Sequence, residues 1–418
     1  MKHRKISAGL AVLASTSLML AACSNGADTK NAADGHELDV FLSMPNGSPQ
    51  ESAMKEIIAD FEEQENATIN LVTATATYED DMKVKMASDS VPDVFTTHGW
   101  SVLRYAPFLE PLDNEPWVKD VKPGLKDVMF DADGHIYALP LEYSTYGFLV
   151  NKDVLKEVGI DVDALSTWEA FDSALQNLKD NGKVPLAVAG KEGGSGNLAN
   201  FIASGQFSQE ENESFQQGEF NSALWQKGVT DRLERWQKNG WFNPDYSSAG
   251  IDDVARQLAD GTAAFGVGDT SALTTALEYN ADADLGFIPL PGADQPYLVG
   301  GEGNNAYGVS KNSEQKELAI KFVNFIAEPD NAKAILSALS ADSGLNNVKV
   351  DLGKIQPSVD KYVTSGDFPT KPFFDRVYLP NGMWSTLVKS SDGVITGQMS
   401  SADAAKQMAD QYGTLSQK

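Results

Sequence analysis

Cysteine is almost absent from this chain. Cys23 is the only one in 418 residues. No intrachain disulfide can form, and no cysteine-based zinc site can be assembled. Histidine is nearly as scarce: His3, His36, His98 and His135 are scattered without the paired spacing of a metal site. Basic side chains are in deficit, 33 against 59 acidic ones, for a net charge of −26. Nucleic acid and anionic lipid surfaces call for basic patches, so this balance argues against both as partners. Catalytic signatures are missing too. There is no G-x-S-x-G elbow, and the glycine-rich stretches 190–196 and 266–268 neither carry Gly-Lys-Ser/Thr nor complete G-x-G-x-x-G. Asp131-x-Asp133-Gly134 opens like a calcium loop, but Glu142 at its twelfth position stands beyond a proline and a strand, so the segment reads as a hairpin turn. No metal or cofactor is expected. Among so many carboxylates a hydrolytic pair can arise by chance, and no local pattern selects one.

What is present begins with a leader. Residues 1–5, MKHRK, are basic, and residues 6–20 are small and apolar, too short to span a bilayer comfortably. They end in Leu20-Ala21-Ala22-Cys23, which resembles the lipobox of bacterial lipoproteins. That resemblance implies cleavage after residue 22, lipid on Cys23 and a place at the cell surface, on the outer face of the cytoplasmic membrane. A plain signal peptide that leaves a core cysteine is the other reading. Residues 24–35, SNGADTKNAADG, are small, polar and aperiodic, the composition of a flexible tether.

The length fits two domains, and a hydrophobic content of 42% suffices for large cores. Residues 38–42, 68–73 and 92–97 read as strands, with helices between them. Ser48 before Pro49 marks one helix start, and Met54, Ile57, Ile58 and Phe61 give it one apolar face. This alternation predicts an α/β fold with a mostly parallel sheet. Ser166-x-x-Glu169 predicts a capping box, residues 220–239 a single helix, and 184–189, 263–268 and 285–290 buried strands. Trp168, Trp225 and Trp236 fall at apolar helical spacing and read as core, and Trp117 reads as a surface residue.

The stretch 133–155, DGHIYALPLEYSTYGFLVNKDVL, reads as a strand that leaves one domain and enters another. Its Gly134, Tyr137, Pro140, Tyr146, Asn151, Lys152 and Asp153 resemble the hinge motif of the extracellular solute-binding proteins of ABC importers, in their carbohydrate-binding branch. Residues 300–309, GGEGNNAYGV, look like the return crossing, and 313–340 like that family's helix pair. The resemblance covers roughly residues 38–411. It implies a two-lobed, periplasmic-binding-protein-like α/β fold of class II type. The expected lobes are residues 37–142 with 306–345 and residues 146–299 with 346–418. Hinges fall near 141–146, 300–306 and 344–348, after a leader at 1–22 and a tether at 23–36. It also implies a monomer that hands a small carbohydrate to membrane permease subunits.

Sugars present apolar faces that stack on aromatic rings and hydroxyls that need planar polar partners. On that chemistry the candidate ligand-binding residues are His98 and Trp100 at a strand's carboxyl end and Glu142 and Tyr143 in the first hinge. Asn197 follows in a glycine loop, Trp241 in a Gly-Trp-Phe-Asn-Pro loop, and Asp269 at the end of a buried strand. Glu302, Asn304 and Asn305 lie in the second hinge, and Arg376 and Trp384 near a late helix. Trp384 enters through the resemblance, where an aromatic near this helix start stacks on sugar. Many members also carry a Trp shortly after the strand that ends here at Gly268; Asp269-Thr270-Ser271 has none. A binder of another solute, such as a peptide, and a surface glycoside hydrolase are the rival readings.

Overall fold

The computed structural model describes residues 36–74, 77–97, 105–303 and 305–416. In chain order the strands and main helices are β1 (Glu37–Ser43), α1 (Pro49–Glu65), β2 (Thr68–Ala74), α2 (Tyr78–Ala87), β3 (Val94–Thr97), β4 (Ala138–Pro140), β5 (Glu142–Asn151), α3 (Trp168–Asp180), β6 (Val184–Ala187), α4 (Gly194–Ser204), α5 (Asp231–Asn239) and α6 (Ile251–Ala259). They continue as β7 (Ala263–Asp269), α7 (Thr270–Tyr279), β8 (Leu285–Ile288), β9 (Leu298–Glu302), β10 (Ala306–Val309), α8 (Lys316–Ile326), α9 (Pro329–Leu339), β11 (Asp342–Ser343), β12 (Thr370–Lys371), α10 (Phe374–Tyr378), α11 (Trp384–Ile395) and α12 (Ser401–Ser416). Among the described residues no helix is long and apolar enough to cross a membrane.

The strands form two open sheets, one per lobe. The first runs β2-β1-β3-β10-β4, and the second β12-β9-β5-β7-β6, with β8 and β11 also pairing with β5. The expected parallel arrangement holds for β2, β1 and β3. It fails where the chain crosses between sheets. β10 returns antiparallel to β3 and β4, and β5 lies antiparallel to β7, β8, β9 and β11. A strand that re-enters a sheet directly from the neighbouring lobe needs no crossover helix, and parallel pairing depends on such crossovers.

Local signals explain most element ends. The Ser48 hydroxyl accepts from the Glu51 N–H at 3.1 Å and starts α1 with Pro49 in its first turn. The cap of α3 sits one residue later than the sequence suggests. Thr167, not Ser166, accepts from the Ala170 N–H at 3.2 Å. The expected single helix over 220–239 is interrupted by a π-helical turn at Gln226–Thr230. At Asp133-Gly134 the hairpin forms, with Gly134 at φ +86° and the Asp131 carboxylate accepting from the N–H groups of Asp133 and His135.

Each sheet carries its own core. In the first lobe Phe61 of α1 meets Phe322 and Phe325 of α8 at ring separations of 5.1 and 5.5 Å. In the second, Phe148, Phe171, Phe265 and Trp236 form one aromatic cluster. Trp168, Trp225 and Trp236 are buried, as their spacing indicates. Trp117 is buried as well, against the expectation of a surface position, because it packs into the first-lobe core.

Candidate functional site

Strand β5 begins where the chain leaves the first sheet, and its pleat sorts its side chains. Glu142, Ser144 and Tyr146 share one face, while Tyr143 and Thr145 point the other way. Glu142 and Ser144 of the first face border a cavity of about 400 Å³. Ser43, Met44 and Pro45 at the end of β1 and Gln50 in the first turn of α1 wall it from the first lobe. Asp269, Thr270 and Ser271, where β7 passes into α7, wall it from the second. Glu142, Ser144 and Asn305 form the floor at the crossings, and residues 339–341 close a side. The cavity therefore sits at carboxyl ends of strands, between two sheets.

The floor is a connected polar network. The Asn305 side-chain amide donates to Glu142 Oε2 at 2.5 Å, and its carbonyl accepts from Gln50 Nε2 and, at 3.3 Å, from the Tyr307 hydroxyl. The Ser144 hydroxyl donates to the other Glu142 oxygen at 3.3 Å. Gly303 passes so close that a methyl group there would overlap the Glu142 carboxyl. The first lobe and both crossings are thus tied together, and these groups hold fixed directions before any ligand arrives.

Asp269 stands directly opposite Tyr146 in the β5–β7 ladder. Its carboxylate accepts from the Ser271 N–H at 3.0 Å and so caps α7. Burial raises the Tyr146 hydroxyl well above its ordinary range; the Asp269 charge adds to this and the Arg376 charge opposes it. Tyr146 therefore stays a neutral donor and acceptor at physiological pH. The Arg376 guanidinium lies 4.0 Å from the Phe373 ring centre, and Phe373 in turn packs 4.9 Å from Tyr146.

Tyr143 also borders the cavity, but its ring is turned to the back of the hinge. Lys122 lies 5.1 Å above that ring and bonds to Asp342 at 2.6 Å. A methyl on Gly124 would come within 2.7 Å of the Tyr143 hydroxyl, and one on Gly300 would crowd it as well. Burial pushes this phenol up to about 12. Tyr143 borders the cavity while its ring is wedged between the lobes.

Trp384 opens α11 and is 40% exposed. Its indole rests on the first turn of α4, where a methyl at Gly196 would lie 3.1 Å away. Asn197, partly exposed, follows on α4, and one turn further Asn200 donates to the Asp375 carboxylate at 2.5 Å, beside Arg376. Trp384 and the Asp269–Tyr146–Arg376 group are thus linked along one helix.

Trp241 is not at the surface. It is 4% exposed, packed in the second-lobe core, and its indole N–H donates to Gln176 at 3.2 Å. The loop containing it folds under the lobe, with the Trp241 carbonyl accepting from the Leu186 N–H, so the ring fills core space. His98, Trp100 and Asn304 lie outside the described residues, as do Cys23 and the Glu302 side chain. The sequence reading passed over Ser43, Gln50, Ser144, Tyr146 and Ser271. A signal existed for two of them: Ser43 ends a strand, and Tyr146 alternates with Glu142 once β5 is extended back past Gly147. Among the described residues no group of His, Cys, Asp or Glu is arranged to hold a metal.

The chain belongs to the bacterial extracellular solute-binding proteins, whose family model matches residues 46–333. It is 28% identical over 414 residues to the melibiose/raffinose/stachyose-binding protein MelE of Bacillus subtilis, covering 95% of this chain and 94% of that one. A binding protein of the same species, solved in an open conformation, superposes with a TM-score of 0.81 at 26% identity, over 91% of this chain and 98% of that one. A sugar transporter protein from Bacillus licheniformis, solved in complex with stachyose, gives 0.78 at 27% identity, over 91% of this chain and all of that one.

Proposed function

We propose that this protein captures a small oligosaccharide in the cavity between its lobes and delivers it to the permease of an ABC importer. The observation that carries this is the cavity wall. Both lobes contribute hydrogen-bonding groups, Ser43 and Gln50 from one and Asp269 and Ser271 from the other, with Ser144 at the crossing between them. A ligand that touches both walls stabilises the closed arrangement over the open one, so binding shifts the population about the hinge. The lobes we infer are residues 37–142 with 306–345 and 146–299 with 346–418, pivoting near 141–146, 300–306 and 344–348. The carboxylates Glu142 and Asp269 repel anionic ligands and suit sugar hydroxyls. The relatives named for melibiose, raffinose and stachyose support α-galactosides as the cargo.

Both carboxylates are already engaged, Glu142 by Asn305 and Ser144 and Asp269 by Ser271, which supports holding sugar rather than cleaving it. Lipid on Cys23 would hold the protein, as a monomer, at the cell surface near its permease. A thermal-shift screen of oligosaccharides, peptides and phosphorylated metabolites tests the reading. A ligand at a hundred times its dissociation constant adds about 2.7 kcal/mol of stability. A rise with α-galactosides that are recovered intact supports it. A rise only with peptides or phosphates, or recovery of cleaved sugar, overturns it.

A further inference from the structure

Tyr307 lies beneath the floor of the cavity and takes no part in its wall. On β10 it stands between Thr96 of β3 and Leu139 of β4, and it is fully buried. Phenylalanine would fill the same space in that core, so the hydroxyl needs a partner to offset its burial. The partner is the Asn305 side-chain carbonyl, to which the hydroxyl donates at 3.3 Å. Burial lifts the phenol well above its ordinary range, and the nearby Glu142 charge adds to this. The group therefore keeps its proton and stays a donor.

The direction of every bond in the floor follows from one end. An ionised carboxylate only accepts, so Asn305 must turn its amide nitrogen to Glu142, where the distance is 2.5 Å. Its carbonyl then faces away and accepts twice, from Tyr307 and from Gln50 Nε2. Two donors on one oxygen lock the amide against a flip. The Ser144 hydroxyl donates to the other Glu142 oxygen at 3.3 Å. Polarity thus runs one way, from the core through Asn305 to a carboxylate at the cavity surface. A carboxylate accepts about four hydrogen bonds, more than the two that Asn305 and Ser144 supply. A ligand group that meets it has to donate. A hydroxyl can; an ether, a carbonyl or a carboxylate cannot.

We infer that Tyr307 is a positioning residue: through Asn305 it holds the Glu142 carboxylate in place, so that the site selects a ligand offering a hydroxyl hydrogen at this point. The inference rests on the sugar-binding reading above. It adds a buried residue that sets affinity without touching the sugar, and the kind of hydroxyl contact that residue serves.

The test is a double-mutant cycle in raffinose affinity, measured by calorimetry on the whole protein. Tyr307→Phe should weaken binding about fivefold, the worth of one neutral hydrogen bond. Glu142→Gln removes the acceptor that the network serves. In that background Tyr307→Phe should change affinity by less than about twofold, because contacts in one network do not add. A residue that only props the fold would give the same factor in both backgrounds, and that result overturns the inference. So does unchanged affinity in the single variant. Melibiose with one hydroxyl at a time replaced by fluorine, which cannot donate, gives a second reading on the wild type. At least one position should lose about tenfold or more, as expected when a bond to a charged group is lost. That loss should shrink in Glu142→Gln. If no position behaves so, the inference falls even where Tyr307→Phe fails to fold. Failure of both raffinose and melibiose to bind the wild type overturns the sugar reading as well.

Discussion

The two faces of strand β5 are built on opposite plans. On the cavity side Glu142, Ser144 and Tyr146 meet Asn305 and the Asp269 carboxylate, and their positions are set by hydrogen bonds and charge. On the back, contact is steric. A methyl on Gly147 would overlap the Ile288 carbonyl, one on Gly300 would strike Thr370 and Tyr143, and one on nearby Gly344 would overlap the Pro140 carbonyl. In the proposed function one face specifies what is bound. The other specifies how closely the two lobes' chains pass each other. Substitutions should separate the two roles cleanly.

The largest effect is expected on the back. Gly344→Ala places a methyl against backbone, which cannot give way like the tip of a side chain. A loss of about 3 kcal/mol, at the upper end for overpacking, should appear as a large drop in melting temperature. Normal stability of the variant would show that the crossing is slack rather than tight. On the cavity face, Asp269→Asn keeps the helix cap but removes the charge. Sugar affinity should fall by about 2 kcal/mol, the worth of a hydrogen bond to a charged group, with the melting temperature nearly unchanged. Equal losses of affinity and stability would erase the proposed division. Tyr143→Phe removes one hydroxyl from the wedge and should cost about 1 kcal/mol of stability, with binding altered less than stability.

The smallest effect is a pH dependence just upstream of β4. His135 bonds to Asp113 through Nδ1 at 2.6 Å, and that bond raises the imidazole above its ordinary 6.5. The folded form therefore holds its proton more tightly than the unfolded chain. The resulting stability is full below about pH 6.5 and is lost as pH rises through the raised value. Melting curves from pH 5.5 to 8.5 should show this slope, and His135→Gln should flatten it. An unchanged slope in the variant would assign the dependence to other groups.

Much of the architecture was legible because its signals are local. Ser48-Pro49 begins a helix by its own chemistry, and the apolar spacing of Trp168, Trp225 and Trp236 marks them as core wherever the helices pack. The α/β class followed from alternation, and the two-lobed fold from the resemblance at the hinge. Legibility ended where tertiary topology decides. Strand direction in the sheets depends on how the chain returns from the other lobe, which no window of sequence contains. Trp241 looks like a loop aromatic in sequence, yet its loop tucks beneath α3. Gln50 reads as a helix-surface residue until the second crossing brings Asn305 against it.

The placement of β10 has a consequence for how the protein is made. It is the strand that joins β3 to β4, and it lies roughly 200 residues downstream of β3. The first sheet cannot close until residues 146–299 of the second lobe have been synthesised. Until then β1, β2 and β3 have an unpaired edge, and the nascent chain stays without a finished N-terminal fold. An exported protein must pass through a translocation pore before it folds. Here the order of strands by itself delays completion of the first lobe.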